Sequence, residues 1–236
     1  MMKRRDLLAS LALAGIPLEA QQQHAPESSL YIPKPQLVED RKFLQDFMDE
    51  FAFVDLVTAS PEPRITHIPT FLDRSAGQYG TIYGHISRQN PQMKSLDNGD
   101  RAVIVFHGPH SYISPTWYSK NEVVPTCNFA VVHASGKLTA ITDKKALHDL
   151  LAKLIHKFET SPTSSYDFAK LPDSYTYSLM AGIIGFQLEV EMLEGKFKLG
   201  QDRSEVDRQG ILKGLQSAKT EQSIYDFTAA FYKRSV

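Results

Sequence analysis

Gly84-His-Ile-Ser-Arg-Gln-Asn-Pro-Gln92, Arg101-Ala-Val-Ile-Val-Phe106 and His107-Gly-Pro-His-Ser-Tyr-Ile-Ser-Pro-Thr-Trp-Tyr118 follow one another closely, and their reading decides the fold. The middle piece is apolar and β-branched and reads as a buried strand. A polar turn follows one strand and a polar, aromatic segment follows the next, so both can face a common cleft. Ser87 and Arg88 place a hydroxyl and a guanidinium at a strand end. Such a pair suits a phosphate, because Arg binds its oxygens bidentately. On its own the dipeptide reads first as a solvated turn.

Outward from this stretch, short strands alternate with turn signals. Upstream, Val38, Phe43, Leu44, Phe47, Met48 and Phe51 recur at helical spacing, and 52–59 reads as a strand. The segment 64–72 resumes as a strand with Pro69 inside it. Proline cannot donate to a ladder, so this strand is expected at an edge or with a bulge. Thr66-His67-Ile68-Pro69 then offers free backbone groups to a ligand, although the pattern alone favours a protected edge with a half-buried histidine. Strands are further expected at 78–86, 111–118, 129–141 and 183–193, with a short helical turn at 91–96. The sum is an all-β barrel or sandwich core. Helices flank it. In 142–160, Leu147, Leu150, Leu151, Leu154, Ile155 and Phe158 form one apolar stripe for core packing. Residues 161–172 read as a loop. A helix over 204–215 has Ser204 and Asp207 placed as a capping box, and a last helix spans 220–232.

The 236 residues, 42% hydrophobic and 22% charged, have ordinary globular composition and suffice for a sizeable core. A net charge of −1 with no basic stripe beyond residue 5 speaks against direct nucleic-acid binding. Residues 1–20 differ. Lys3-Arg4-Arg5 precedes a ten-residue apolar run ending at Ile16, and Leu18-Glu-Ala20 makes a cleavage site. This is the pattern of a secretory leader, with adjacent arginines as in the twin-arginine type, and too short for a resident span. Residues 21–29 read as a linker, leaving 30–236 as one domain. The single cysteine, Cys127, forbids an intramolecular disulfide and reads as a buried, inert thiol. His107 and His110 flank Gly-Pro without a matched second pair, a poor zinc signal, so no metal is expected. Nucleophile elbow, Walker loop and dinucleotide fingerprint are all missing.

Several motifs occur in the order seen in one family. They are Tyr31-Ile-Pro-Lys34, Thr66-His-Ile-Pro69, the two segments 84–92 and 107–118 quoted above, Val124-Pro-Thr126, Val132-His133, Gly182-Ile-Ile-Gly-Phe186 and Lys198-Leu-Gly-Gln-Asp-Arg203. Over roughly residues 30 to 215 the chain resembles the PaiB-type family of FMN-binding negative transcriptional regulators. Tyr83 to Gln89 is also similar to the Tyr-x-x-Ser-Arg-Lys phosphate clamp of pyridoxamine-phosphate-oxidase-like split barrels. The resemblance implies a mainly β, α+β fold with flanking helices: a split β-barrel homodimer with FMN at the subunit interface. It implies that Ser87 and Arg88 hold the phosphate and that Thr66, His67, Ile68 and Pro69 meet the flavin ring edge. His85 falls within the clamp, and Trp117 and Tyr118 pack on the ring or across the dimer. Gln89 stands where the clamp has Lys, with Lys94 as the replacement cation. Cys127-Asn-Phe129 stands where the family has Trp-Asn-Tyr. The expected function is an exported, flavin-dependent redox protein of unassigned substrate. The alternatives are a non-enzymatic regulator of the PaiB kind, or a haem-handling split barrel. No residue is assigned as acid or base; His85, His107 and His133 qualify by titration range alone.

Overall fold

A computed structural model describes residues 27–120, 123–160, 164–218 and 222–234. The expected leader and most of the linker after it lie outside the described residues. Eight strands form one antiparallel sheet: β1 (Leu37–Val38), β2 (Phe53–Thr58), β3 (Arg64–Pro69), β4 (Phe71–Asp73), β5 (Thr81–Ser87), β6 (Arg101–Ile113), β7 (Thr126–Ile141) and β8 (Ile183–Lys198). Their order is β3, β2, β6, β7, β8, β5, β4, with β1 paired to β8.

β3 and β4 stand at opposite ends of that order, yet Thr70 alone separates them in the chain. The sheet therefore curls until its two ends meet at Thr70, and the seam between them is the split of a barrel. Thr70 is fully buried, and its N–H and hydroxyl both donate to the Ala52 carbonyl, at 2.9 and 3.2 Å. Glycine at 84 lets this corner close, since a Cβ there would come within 2.7 Å of the Phe186 ring. β3 ends the order, as expected for a strand carrying Pro69.

Alternation along the strands sends Val54, Leu56, Ile82, Ile86, Ile104, Phe106, Val132, Ala134, Ile184, Phe186 and Leu188 into one buried cluster. Helix α1 (Arg41–Glu50), capped by Asp40, adds Leu44, Phe47 and Met48 to it. α2 (Met93–Asn98) adds Leu96, α5 (Glu205–Ser217) adds Ile211 and Leu215, and α6 (Gln222–Arg234) adds Ile224. The Ser204 hydroxyl accepts from the Asp207 N–H and caps α5 as expected. α3 (Lys144–Phe158) buries Leu147, Leu150 and Leu154 on its apolar stripe.

Four expectations change. The strands foreseen at 101–106 and 111–118 are largely one strand, β6, with a register shift between His107 and His110. Gly108 permits that shift, because a Cβ there would strike the Phe47 ring at 2.7 Å. Residues 115–117 form a 3-10 turn rather than strand, consistent with a proline that presets φ. α4 (Asp173–Met180) was not foreseen, its aromatic and β-branched residues being weak helix formers. Cys127 is exposed: β7 begins one residue earlier and alternation turns Asn128, not Cys127, inward.

Candidate functional site

The seam that is sealed at Thr70 opens at its other end. There the start of β3 and the end of β5 part around a cleft of about 590 Å³, lined by Pro63–Thr66, Ser87 and Gln89–Gln92. Its size falls in the range of small-molecule sites. Buried Gln92 spans the gap behind it. The Gln92 amide donates to the carbonyls of Leu56 (3.1 Å) and Arg64 (3.2 Å) and to the Thr58 hydroxyl (3.1 Å). Its oxygen accepts from the Thr66 hydroxyl, which in turn accepts from the Asn90 amide at 2.8 Å. These bonds hold the two sides of the split at a set width.

The cleft suits an anion. The Ser87 hydroxyl accepts from the Gln89 N–H at 3.2 Å, which leaves its own hydrogen to donate. The Arg64 Nε is buried without a hydrogen-bond partner, a costly state that an anionic oxygen would relieve. A different atom of the same guanidinium, Nη2, makes a long ion pair with Glu62 at 3.8 Å. Arg88 is exposed beside the mouth, its guanidinium making no ion pair among the described residues.

Of the residues singled out in the sequence, Ser87 and Thr66 line this mouth, with the Thr66 hydroxyl spent on Gln92 and Asn90, while Arg88 follows Ser87 in the chain without lining it. Ile68 is buried in the core and Pro69 leads into the sealed corner. Lys94 is exposed on α2 and does not line the cleft; the second cation there is Arg64. His85 lies on β5 opposite Gly185, whose neighbours are Leu147 and Leu150 of α3. Burial lowers its pKa, and its Nδ1 has no partner. Trp117 is seated on α5, where a Cβ on Gly210 or Gly214 would collide with it at 2.0 Å. Tyr118 is buried near α5 under the Arg203 guanidinium. Neither aromatic lines the cleft. The sequence reading passed over Arg64, Asn90 and Gln92, although Asn-Pro-Gln directly follows the clamp.

It also passed over Asp55. On the outward face of the sheet, His67 Nδ1 and His107 Nε2 (2.9 Å) both bond the Asp55 carboxylate. Burial alone would raise the Asp55 pKa, but hydrogen bonds from His67 and His107 outweigh it and hold the carboxyl below its ordinary range. Among the described residues, no three His, Cys, Asp or Glu side chains are disposed to hold a metal ion.

Residues 30–192 match a family model described as "Putative FMN-binding domain". The chain is 33% identical over 189 residues to protease synthase and sporulation protein PAI 2 of Bacillus subtilis, covering 80% of this chain and 90% of that protein. A protein of Emericella nidulans is 31% identical over 196 residues, covering 70% and 78%. Among solved structures, a FAD and heme binding protein from Mycobacterium smegmatis superposes with a TM-score of 0.52 at 16% identity, covering 69% of this chain and 73% of that one. A flavocytochrome from Azotobacter vinelandii gives 0.52 at 13% identity, covering 73% and 75%. These two likenesses establish the split-barrel fold.

Proposed function

This chain belongs to the PaiB-type FMN-binding-domain family, and from that premise we propose that it is an exported redox protein holding FMN in the split of its barrel. The observation that carries the reading is the mouth of the seam: the Arg64 guanidinium with its buried, partnerless Nε and an unspent Ser87 hydroxyl line one open cleft, with exposed Arg88 next in the chain. FMN would supply the electron chemistry. The chain's own residues bind and orient: Arg64, Ser87 and Arg88 take the phosphate, and the outer edge of β3 meets the ring system. A second copy covers the outward face, where Phe53 and Ile65 stand 65% and 60% exposed beside each other's strands. Apolar exposure of this kind fits an association surface. Export rests on the basic and apolar pattern of residues 1–20.

The test is the absorption spectrum of the purified protein, followed by heat release and identification of what comes off. FMN released from wild type, with weaker uptake by Arg64→Ala and Arg88→Ala, supports the reading. A colourless chain that takes up no added FMN overturns it, and a Soret band instead replaces flavin with haem. Fractionation tests export: intact chain confined to the cytoplasm favours the regulator.

A further inference from the structure

The outward face of the sheet carries more titratable side chains than the cleft uses. Asp55 (β2) lies directly opposite His67 (β3), and His107 reaches the same carboxylate from β6. Farther across, His133 and Glu194 are opposed in the β7–β8 register. They are occupied by the segment before β1: the Glu194 carboxylate accepts from the Ser29 N–H (3.0 Å) and hydroxyl (2.9 Å), and His133 Nδ1 meets that hydroxyl at 3.0 Å. Lys196 donates to the Tyr31 carbonyl. The rings of His67 and His107, by contrast, remain more than half exposed.

Their protons are placed by Asp55. An ionised carboxylate only accepts, so neutral His67 carries its hydrogen on Nδ1 and neutral His107 carries its hydrogen on Nε2. The lone pairs of His67 Nε2 and His107 Nδ1 are left for a ligand. Ile65, two residues before His67 and on the same face, lines the cleft. His67 thus stands about 7 Å along the strand from the cleft lining, with His107 farther off, two strands across on β6.

We propose that Asp55, His67 and His107 form an acid–base site for the molecule seated in the cleft and across this face, an inference that rests on the flavin reading above. A proton leaves a ring N–H or O–H of that molecule for His67 Nε2 or His107 Nδ1, and the imidazolium so formed is held by Asp55. The reverse step returns it, and no electrons move in either direction. Two Asp–His dyads sharing one carboxylate give the face a proton store on each side of Asp55.

The test uses the full chain labelled with ¹⁵N-histidine, first alone and then with added FMN, while flavin fluorescence reports FMN uptake independently. In alkaline buffer, long-range ¹H–¹⁵N spectra are expected to show the Nδ1–H form at His67 and the Nε2–H form at His107. Asp55→Asn, which can donate to one ring while accepting from the other, is expected to invert one of the two. FMN is expected to shift the His67 and His107 ring resonances while leaving His148 and His156 on α3 unmoved. A mixture of tautomers at both rings in the wild type overturns the proposal. So does FMN uptake that leaves both rings unshifted, which is what a purely structural pair would give. A chain that takes up no FMN overturns the flavin reading, and the proposal falls with it.

Discussion

The seam of this barrel has two ends, both using β3, and they are built in opposite ways. At Thr70 the chain turns from one terminal strand into the other with a single residue between, fully buried and bonded to the Ala52 carbonyl. At Arg64 and Ser87, β3 and β5 part instead, and one glutamine side chain spans the gap. The first end is closed by covalent continuity, with the Thr70 hydroxyl and N–H tied to one carbonyl. The second is kept apart by a polar strut, which leaves guanidiniums and a hydroxyl facing solvent. Open sheet edges are hazards unless paired or charged. Here the edge is charged and recessed, which is also what an anion needs.

Four measurements break or sharpen that contrast. Gln92→Ala removes three donated bonds, to the Leu56 and Arg64 carbonyls and the Thr58 hydroxyl. A loss of about 3 kcal/mol is expected, at roughly 1 kcal/mol per bond, read as a lower urea midpoint. A silent Gln92→Ala would mean the mouth needs no strut. Gly84→Ala strains the sealed end against Phe186, and about 2 kcal/mol is expected by the same readout, as for other overpacked cores. Arg88→Ala leaves the urea midpoint near wild type but weakens FMN binding about tenfold, or ~1.4 kcal/mol, by titration. Equal affinity would place the phosphate elsewhere. The smallest effect is the pH response of His85, midway along β5. Burial lowers its pKa, so the unfolded chain takes the proton more readily than the folded one. Its contribution is intact well above the ordinary imidazole value of about 6.5 and is lost as pH falls through it. Thermal melts between about pH 8 and 5 should therefore show a shallower decline for His85→Gln than for wild type.

Much of the fold was legible because it is written in alternation and in glycine and proline. Pro69 announced a terminal strand and Ser204 a helix start. The open end of the seam was legible through Ser87, which lies in a short polar motif. Arg64 was not, since it lies 23 positions earlier and reaches the cleft only through the curl of the sheet. The same holds for Asp55, where alternation reveals a polar side chain on one face but not the two histidines brought from neighbouring strands. The resemblance alone places Trp117 on the ring or across the dimer, and its seat against the α5 glycines within one chain is not written in its own segment. Local pattern specifies elements; sites made across strands depend on register, which no single segment contains.

Cys127 is both solitary and outward-facing, at the start of β7 and paired in register with Tyr112 of β6. A nitroxide attached there by thiol chemistry labels every chain once, without first engineering cysteines away. A solution of isolated chains then gives a featureless dipolar echo decay. Paired chains give an oscillation, whose frequency reports the span between two copies of one known position and so provides a ruler for the assembly.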